Sequence, residues 1–256
     1  MSATSPQVMA KVTVNEARLY LRDPAAVFFG LFFPVVLLLM LGLLMPWADQ
    51  PFSATDPVLS QITAISAYTP IVLALAIGTV AYSTFPPVMA TYREKGVLRR
   101  LSTTPLPPSR LLVAQLLVNL GMLLIASTLA IVAGVLVLDV SLPSDPWVTL
   151  LAFVAGAVSS MAVGSLIAAL APTTGAATGT GMLVYTMSLF FAGVWMPLPL
   201  MPETVQTISR FTPLGAASQA LAAGWYEGRF PTVELVVMVV WTAVLVPLAA
   251  RLFRWT

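Results

Sequence analysis

Apolar residues gather into six long stretches, at 25–46, 64–89, 110–138, 147–171, 175–197 and 232–253, separated by shorter polar segments. Charged residues touch these stretches only near their margins, at Arg110, Glu234 and Arg251. A helix of about 20 apolar residues crosses the roughly 30 Å hydrocarbon core of a bilayer. Each stretch is therefore long enough to span, and together they take up most of the chain. The pattern predicts an all-α integral membrane protein with six transmembrane helices, forming a single membrane domain over residues 1–256. The first stretch does not read as a cleaved signal peptide. It is too long for a signal core and ends in Met45-Pro46-Trp47 rather than in small residues. No strong internal repeat of the kind seen in secondary carriers is visible.

The polar segments carry their own periodicities. Over residues 8–22, Ala10, Val14, Ala17 and Leu21 form an apolar stripe, and Lys11, Asn15, Arg18 and Arg22 form a basic stripe beside it. This is the pattern of a helix lying in the headgroup layer of an anionic leaflet. Asp23-Pro24 then breaks that helix and starts the first span, Asp being a good N-cap and Pro acceptable at the first helical position. The segment 91–109 places Val97, Leu98 and Leu101 on a short apolar face flanked by Arg93, Lys95, Arg99 and Arg100. Gly96 precedes this face, and Pro105, Pro107 and Pro108 stop it. A loop that only sets topology needs scattered cations, not a compact helix, so this one reads as a docking helix for a cytosolic protein. Segment 197–231 predicts a short amphipathic helix at Glu203–Arg210, with Val205 and Ile208 on one face. After the Thr212-Pro213 break comes an apolar helix over 214–225 that is too short to span. Gly156, Ser160 and Gly164, and then Gly175 and Gly179, recur four apart, with Gly181 close by. Small residues at that spacing allow helices to approach closely, within the chain or between subunits.

Composition sharpens the class. Hydrophobic residues make up 59% and charged residues 9%, against about 25% charged in soluble domains. An even number of spans puts both termini on one side. That side collects Lys11, Arg18, Arg22, Arg93, Lys95, Arg99, Arg100, Arg110, Arg251 and Arg254, leaving only Arg210 and Arg229 opposite. Lys and Arg accumulate in cytoplasmic loops, so both termini are expected in the cytoplasm of a cell bounded by this plasma membrane. Asp49, Asp56, Asp139, Asp145, Glu203, Glu227 and Glu234 fall on the outer side, where Trp47, Trp147 and Trp195 mark the ends of spans.

Missing chemistry excludes several functions. There is no Cys and no His, which removes disulfides, thiolate metal sites and the commonest catalytic base. No acid or base sits deep in a span to serve as a proton relay. The chain has no Gly-x-x-x-x-Gly-Lys-Ser/Thr phosphate loop and no Ser–His or paired-carboxylate arrangement for hydrolysis. It is not expected to be an enzyme or to bind a metal, a cofactor or nucleic acid.

The order of these elements does resemble a family. Arg22-Asp23-Pro24 closes an amphipathic helix and opens the first span. Glu94-x-Gly96 leads through Leu98 and Leu101 to Thr104-Pro105, and a proline-rich outer segment precedes a last span ending in Arg251 and Arg254. The layout is similar to the permease subunits of type-2 ABC exporters, which include bacterial drug and lipid efflux systems. Pro86-Pro87 departs from the family pattern. The resemblance implies a half-transporter: two six-span permease subunits, identical or related, share one pathway, and cytosolic ATPase subunits holding ATP and Mg drive it. It also implies that Glu94, Gly96, Val97, Leu98, Arg99, Arg100 and Leu101 belong to a coupling helix seated on the ATPase. Lining candidates on the first, second and fifth spans are Tyr68, Thr79, Tyr82, Ser83, Tyr185, Ser188 and Trp195. This mildly polar, uncharged set suits an amphipathic drug, antibiotic or lipid. Alternatives are export of a lipid-linked glycan or another envelope component, and a non-transporting membrane scaffold.

Overall fold

In the computed structural model, which describes residues 6–53, 59–102 and 109–253, the regular elements are helical. The first, α1 (Pro6–Leu21), ends where Asp23 takes over. The Asp23 carboxylate accepts hydrogen bonds from the amides of Ala25 and Ala26 at 3.0 and 3.2 Å, and Pro24 needs no amide partner, so α2 (Pro24–Leu44) starts there. The face of α1 that packs inward is not the stripe expected from its periodicity. Val14 and Leu21 are exposed, at 51% and 56%, while Glu16 and Tyr20 are buried and Val12 packs beside Phe85 and Leu98. Val14 and Leu21 are left for surroundings outside the chain, Ala17 packs beside Tyr20, Ala26 and Val118, and the face through Val12, Glu16 and Tyr20 holds α1 to the bundle.

The centre of the molecule is α3 (Ala64–Glu94), a helix of 31 residues whose apolar stretch is 94% buried. It contains a π turn over Thr79–Thr84, immediately before Pro86-Pro87. In that wider register the amide of Phe85 bonds the carbonyl of Val80, so Pro86 and Pro87 stand where the partners of Ala81 and Tyr82 would be. The two orphaned carbonyls point at glycines: Ala81 O lies against Gly164 and Tyr82 O against Gly181, each where a side chain would collide. The proline pair thus sets the register that docks α3 onto α6 and α7. A similar π turn, Phe28–Phe32, precedes Pro34 in α2.

Next come the short α4 (Val97–Ser102), then α5 (Ser109–Leu138), α6 (Pro146–Leu170) and α7 (Thr174–Phe191). Past α8 (Glu203–Arg210), α9 (Pro213–Ala222) continues into a π turn over Ala223–Glu227, and α10 (Thr232–Leu252) closes the chain. α5 packs on α1 and α2, and α6 packs on α9 and α10. Both outer helices predicted after residue 197 are present, and α9 is almost wholly buried between α3, α6 and α10. A helix too short to span is stable at depth when other helices cover its ends.

Among the described residues, five helices are long and apolar enough to cross a membrane: α2, α3, α5, α6 and α10. The predicted fifth span, 175–197, corresponds to α7, which has 18 residues and a first half of Thr, Gly and Ala. It stops at Phe191 because Gly193 turns left-handed (φ +84°). Hydroxyls from α8 and α9 then cap its end, Ser209 donating to Phe191 O at 2.6 Å and Ser218 to Ala192 O at 2.7 Å.

Candidate functional site

The last turn of α3 holds two adjacent charges that bind two different helix ends. Arg93 Nη2 donates to Ala168 O at 2.9 Å and to Ala171 O, and Nη1 to Ala169 O at 3.4 Å, closing the C-terminus of α6. Glu94 accepts from the amide and the hydroxyl of Thr174, both at 2.7 Å, at the N-terminus of α7. Thr91 and Thr174 add a hydroxyl pair at 3.1 Å. A cation at a helix C-terminus and an anion at an N-terminus both oppose the helix dipole. The end of α3 and the α6–α7 turn are therefore clamped together.

Beyond the clamp, Gly96 adopts φ +66° with open space on its side-chain side, and α4 starts at the next residue. Leu98 is 1% exposed and packs into a core cluster with Phe85, Met89, Leu111 and Phe253. It anchors α4 to the bundle, so the apolar contact expected to face a partner is turned inward at this residue. Val97 is half-buried, and Arg99 and Arg100 are exposed. The side chain of Leu101, like Thr104, Pro105, Pro107 and Pro108, lies outside the described residues.

Of the expected lining residues, the structure brings three together. Thr79, Ser83 and Tyr185 face a 430 Å³ cavity between α2, α3 and α7, along with Phe29 and Phe33. The hydroxyls of Thr79 and Tyr185 are 2.8 Å apart and tie α3 to α7 across it. Tyr82 and Ser188 line a different cavity, on the far side of α7 against Trp241. Tyr68 sits near the N-terminal end of α3 and stacks on Trp47, with centroids 4.9 Å apart. Trp195 is 67% exposed in the turn after α7.

Two polar clusters escaped the sequence reading. The first joins α1, α3 and α5. Tyr92 and Gln115 donate to Glu16 Oε2 at 2.8 and 2.5 Å, and Asn119 donates to the carbonyl and side-chain oxygens of Gln115 at 2.8 and 3.3 Å. Glu16, Gln115 and Asn119 are all buried. Nearby, burial pushes the Tyr20 phenol up to about 12, with the Asp23 charge adding to the shift. Nothing in the periodicity of α1 singles out Glu16 beyond its offset from the basic stripe. The second cluster is at the opposite end. Glu234 is fully buried and binds Arg210 at 2.9 Å and Arg229 at 3.1 Å, so both cations of the acidic side converge on one carboxylate. An acid inside an apolar stretch, preceded by two arginines in the outer segment, was the available signal.

Residues 8–226 match the protein family described as ABC-2 type transporter. The chain is also similar to a Bacillus subtilis (strain 168) protein named "Putative transport permease YvfS", at 26% identity over 170 residues that cover 65% of this chain and 67% of the relative. The family match takes in the amphipathic helix, the clamp, the α2–α3–α7 cavity and the buried α9. The chain thus belongs to the ABC-2 type transporter family, as a multi-pass membrane permease component of an ABC transporter rather than a catalytic subunit.

Proposed function

We propose that the chain is the permease half of an ATP-driven exporter that moves an amphipathic substrate out of the cell. Six helices cross the plasma membrane in this reading, α7 being the sixth, with both termini in the cytoplasm. The whole of residues 1–256 acts as one permease domain. A second permease copy or a related chain completes the pathway, and separate cytosolic ATPase subunits bind ATP and Mg.

The observation that carries the reading is the clamp formed by Arg93 and Glu94. An ATPase pressing on α4 moves a helix that is anchored by Leu98 and jointed at Gly96. That displacement reaches the end of α3, and the clamp passes it to the α6–α7 turn. Moving the clamped ends of α3 and α7 tilts the two helices about the Thr79–Tyr185 contact, which closes the cavity wall where the substrate would sit. Thr79, Ser83, Tyr185 and two phenylalanines offer hydroxyls and apolar rings, with Asp23 the one charged residue of the lining, a combination that suits an amphipathic guest.

Reconstitution tests the energy source. Vesicles containing the permease and its co-purifying ATPase should accumulate substrate only with ATP and Mg. Transport by the purified chain alone, driven by a proton gradient, would refute the assignment.

A further inference from the structure

A second cavity, of 420 Å³, lies beneath α1, walled by α1, the start of α2, α3 and α5. It shares Asp23, Ala26, Thr84, Pro87 and Val88 with the cavity that holds Thr79, Ser83 and Tyr185, so the two adjoin across a common wall. We propose that this cavity is a vestibule that admits amphiphiles bearing a protonated amine from the cytoplasmic leaflet and passes them to the α2–α3–α7 groove.

The chemistry of the wall carries the proposal. Eight cations occur between Lys11 and Arg110: Lys11, Arg18, Arg22, Arg93, Lys95, Arg99, Arg100 and Arg110. None of them lines either adjoining cavity, and the one charged side chain in both linings is Asp23. Lys11 lines a separate hollow on the other side of Tyr92. Hydrogen-bond polarity points the same way. The donors of Tyr92, Gln115 and Asn119 run inward, Asn119 to Gln115 and both Gln115 and Tyr92 to Glu16. An amide has two donor hydrogens and one acceptor oxygen. With the donors of Tyr92 and Gln115 directed to Glu16 and those of Asn119 to Gln115, the wall keeps acceptor capacity at Asn119, at the Thr84 and Thr91 hydroxyls and at the Asp23 rim, beside the neutral, unpartnered Tyr20 hydroxyl. An ammonium group offers donors and positive charge to such a wall, whereas a phosphate or carboxylate head meets acceptors and an acid. In an anionic leaflet that contrast separates an amine-bearing guest from the surrounding lipid.

This inference rests on reading the α2–α3–α7 groove as the transport path, so its test needs neither ATP nor ATPase. The purified full chain in phosphatidylcholine nanodiscs is titrated with three dansyl-labelled C12 amphiphiles that end in an amine, an alcohol or a carboxylate. The amine should bind about tenfold more tightly than the alcohol, the order set by one charge-assisted contact, and the carboxylate should bind weakest. Asp23→Asn keeps the helix cap and should erase the preference for the amine while leaving alcohol binding unchanged. Val88→Trp, at the shared wall, should weaken all three. Equal binding of amine and carboxylate, an undiminished amine preference in Asp23→Asn, or preference for phosphatidylglycerol would overturn the vestibule. Absence of ATP-driven transport in the reconstituted vesicles, with the amine preference intact in nanodiscs, would instead refute the exporter assignment.

Discussion

Arg93 and Glu94 are neighbours in the chain yet serve helix ends of opposite polarity, and this is why neither can be replaced by the other. Arg93 supplies several donors in a fixed fork to the bare carbonyls that end α6, and Glu94 supplies acceptors to the bare amide and hydroxyl that start α7. Leu98, two residues past the Gly96 joint, matters for a different reason. Its side chain fills the permease's own core, so Leu98→Ala should lower stability by about 2–5 kcal/mol, the usual cost of emptying a buried leucine. A thermal-unfolding scan in detergent checks this. An unchanged melting temperature would mean that α4 does not pack as described, and that Leu98 is available to a partner after all.

At the scale of elements, the spans were legible because bilayer thickness converts directly into a length of apolar sequence, and α5 and α10 begin and end within a residue or two of the expected limits. α7 was legible only in part, because the helix ends at a left-handed glycine and not at the end of the apolar run. The polar network around Glu16 could not be read from periodicity, since its members lie 76 and 99 residues apart and meet only after α1 folds under α3 and α5. Pro86-Pro87 stands out in the sequence as a departure from the family pattern, but its consequence, two carbonyls seated on Gly164 and Gly181, depends on tertiary packing. That packing makes a paired prediction. Gly181→Ala should destabilise the fold by about 1–3 kcal/mol, because its methyl meets backbone that cannot turn aside. Gly179→Ala, two residues away, faces open space in the monomer and should leave monomer stability unchanged. Melting curves of the two variants in the same detergent separate them, and equal stability would contradict the docking of α7 on the α3 π turn.

At the scale of the whole molecule, the two ends are built differently. The acidic end is locked by a buried carboxylate between two arginines, Glu234 with Arg210 and Arg229. The basic end is articulated, with α4 on a glycine joint and a clamp reaching across to α6 and α7. A bundle fixed at one end and jointed at the other suits a machine pushed from the jointed side, which is the central claim of the exporter assignment. The most direct test is the ratio of substrate transported to ATP hydrolysed in vesicles holding the permease and its ATPase. In Glu94→Ala that ratio should fall about tenfold, within the 5–150-fold range of typical coupling energies, while ATPase binding and basal hydrolysis stay unchanged. Glu94→Gln, which keeps an acceptor oxygen for Thr174, should recover part of the loss. An unchanged ratio in Glu94→Ala would contradict the account, because the motion would then reach α7 without the clamp.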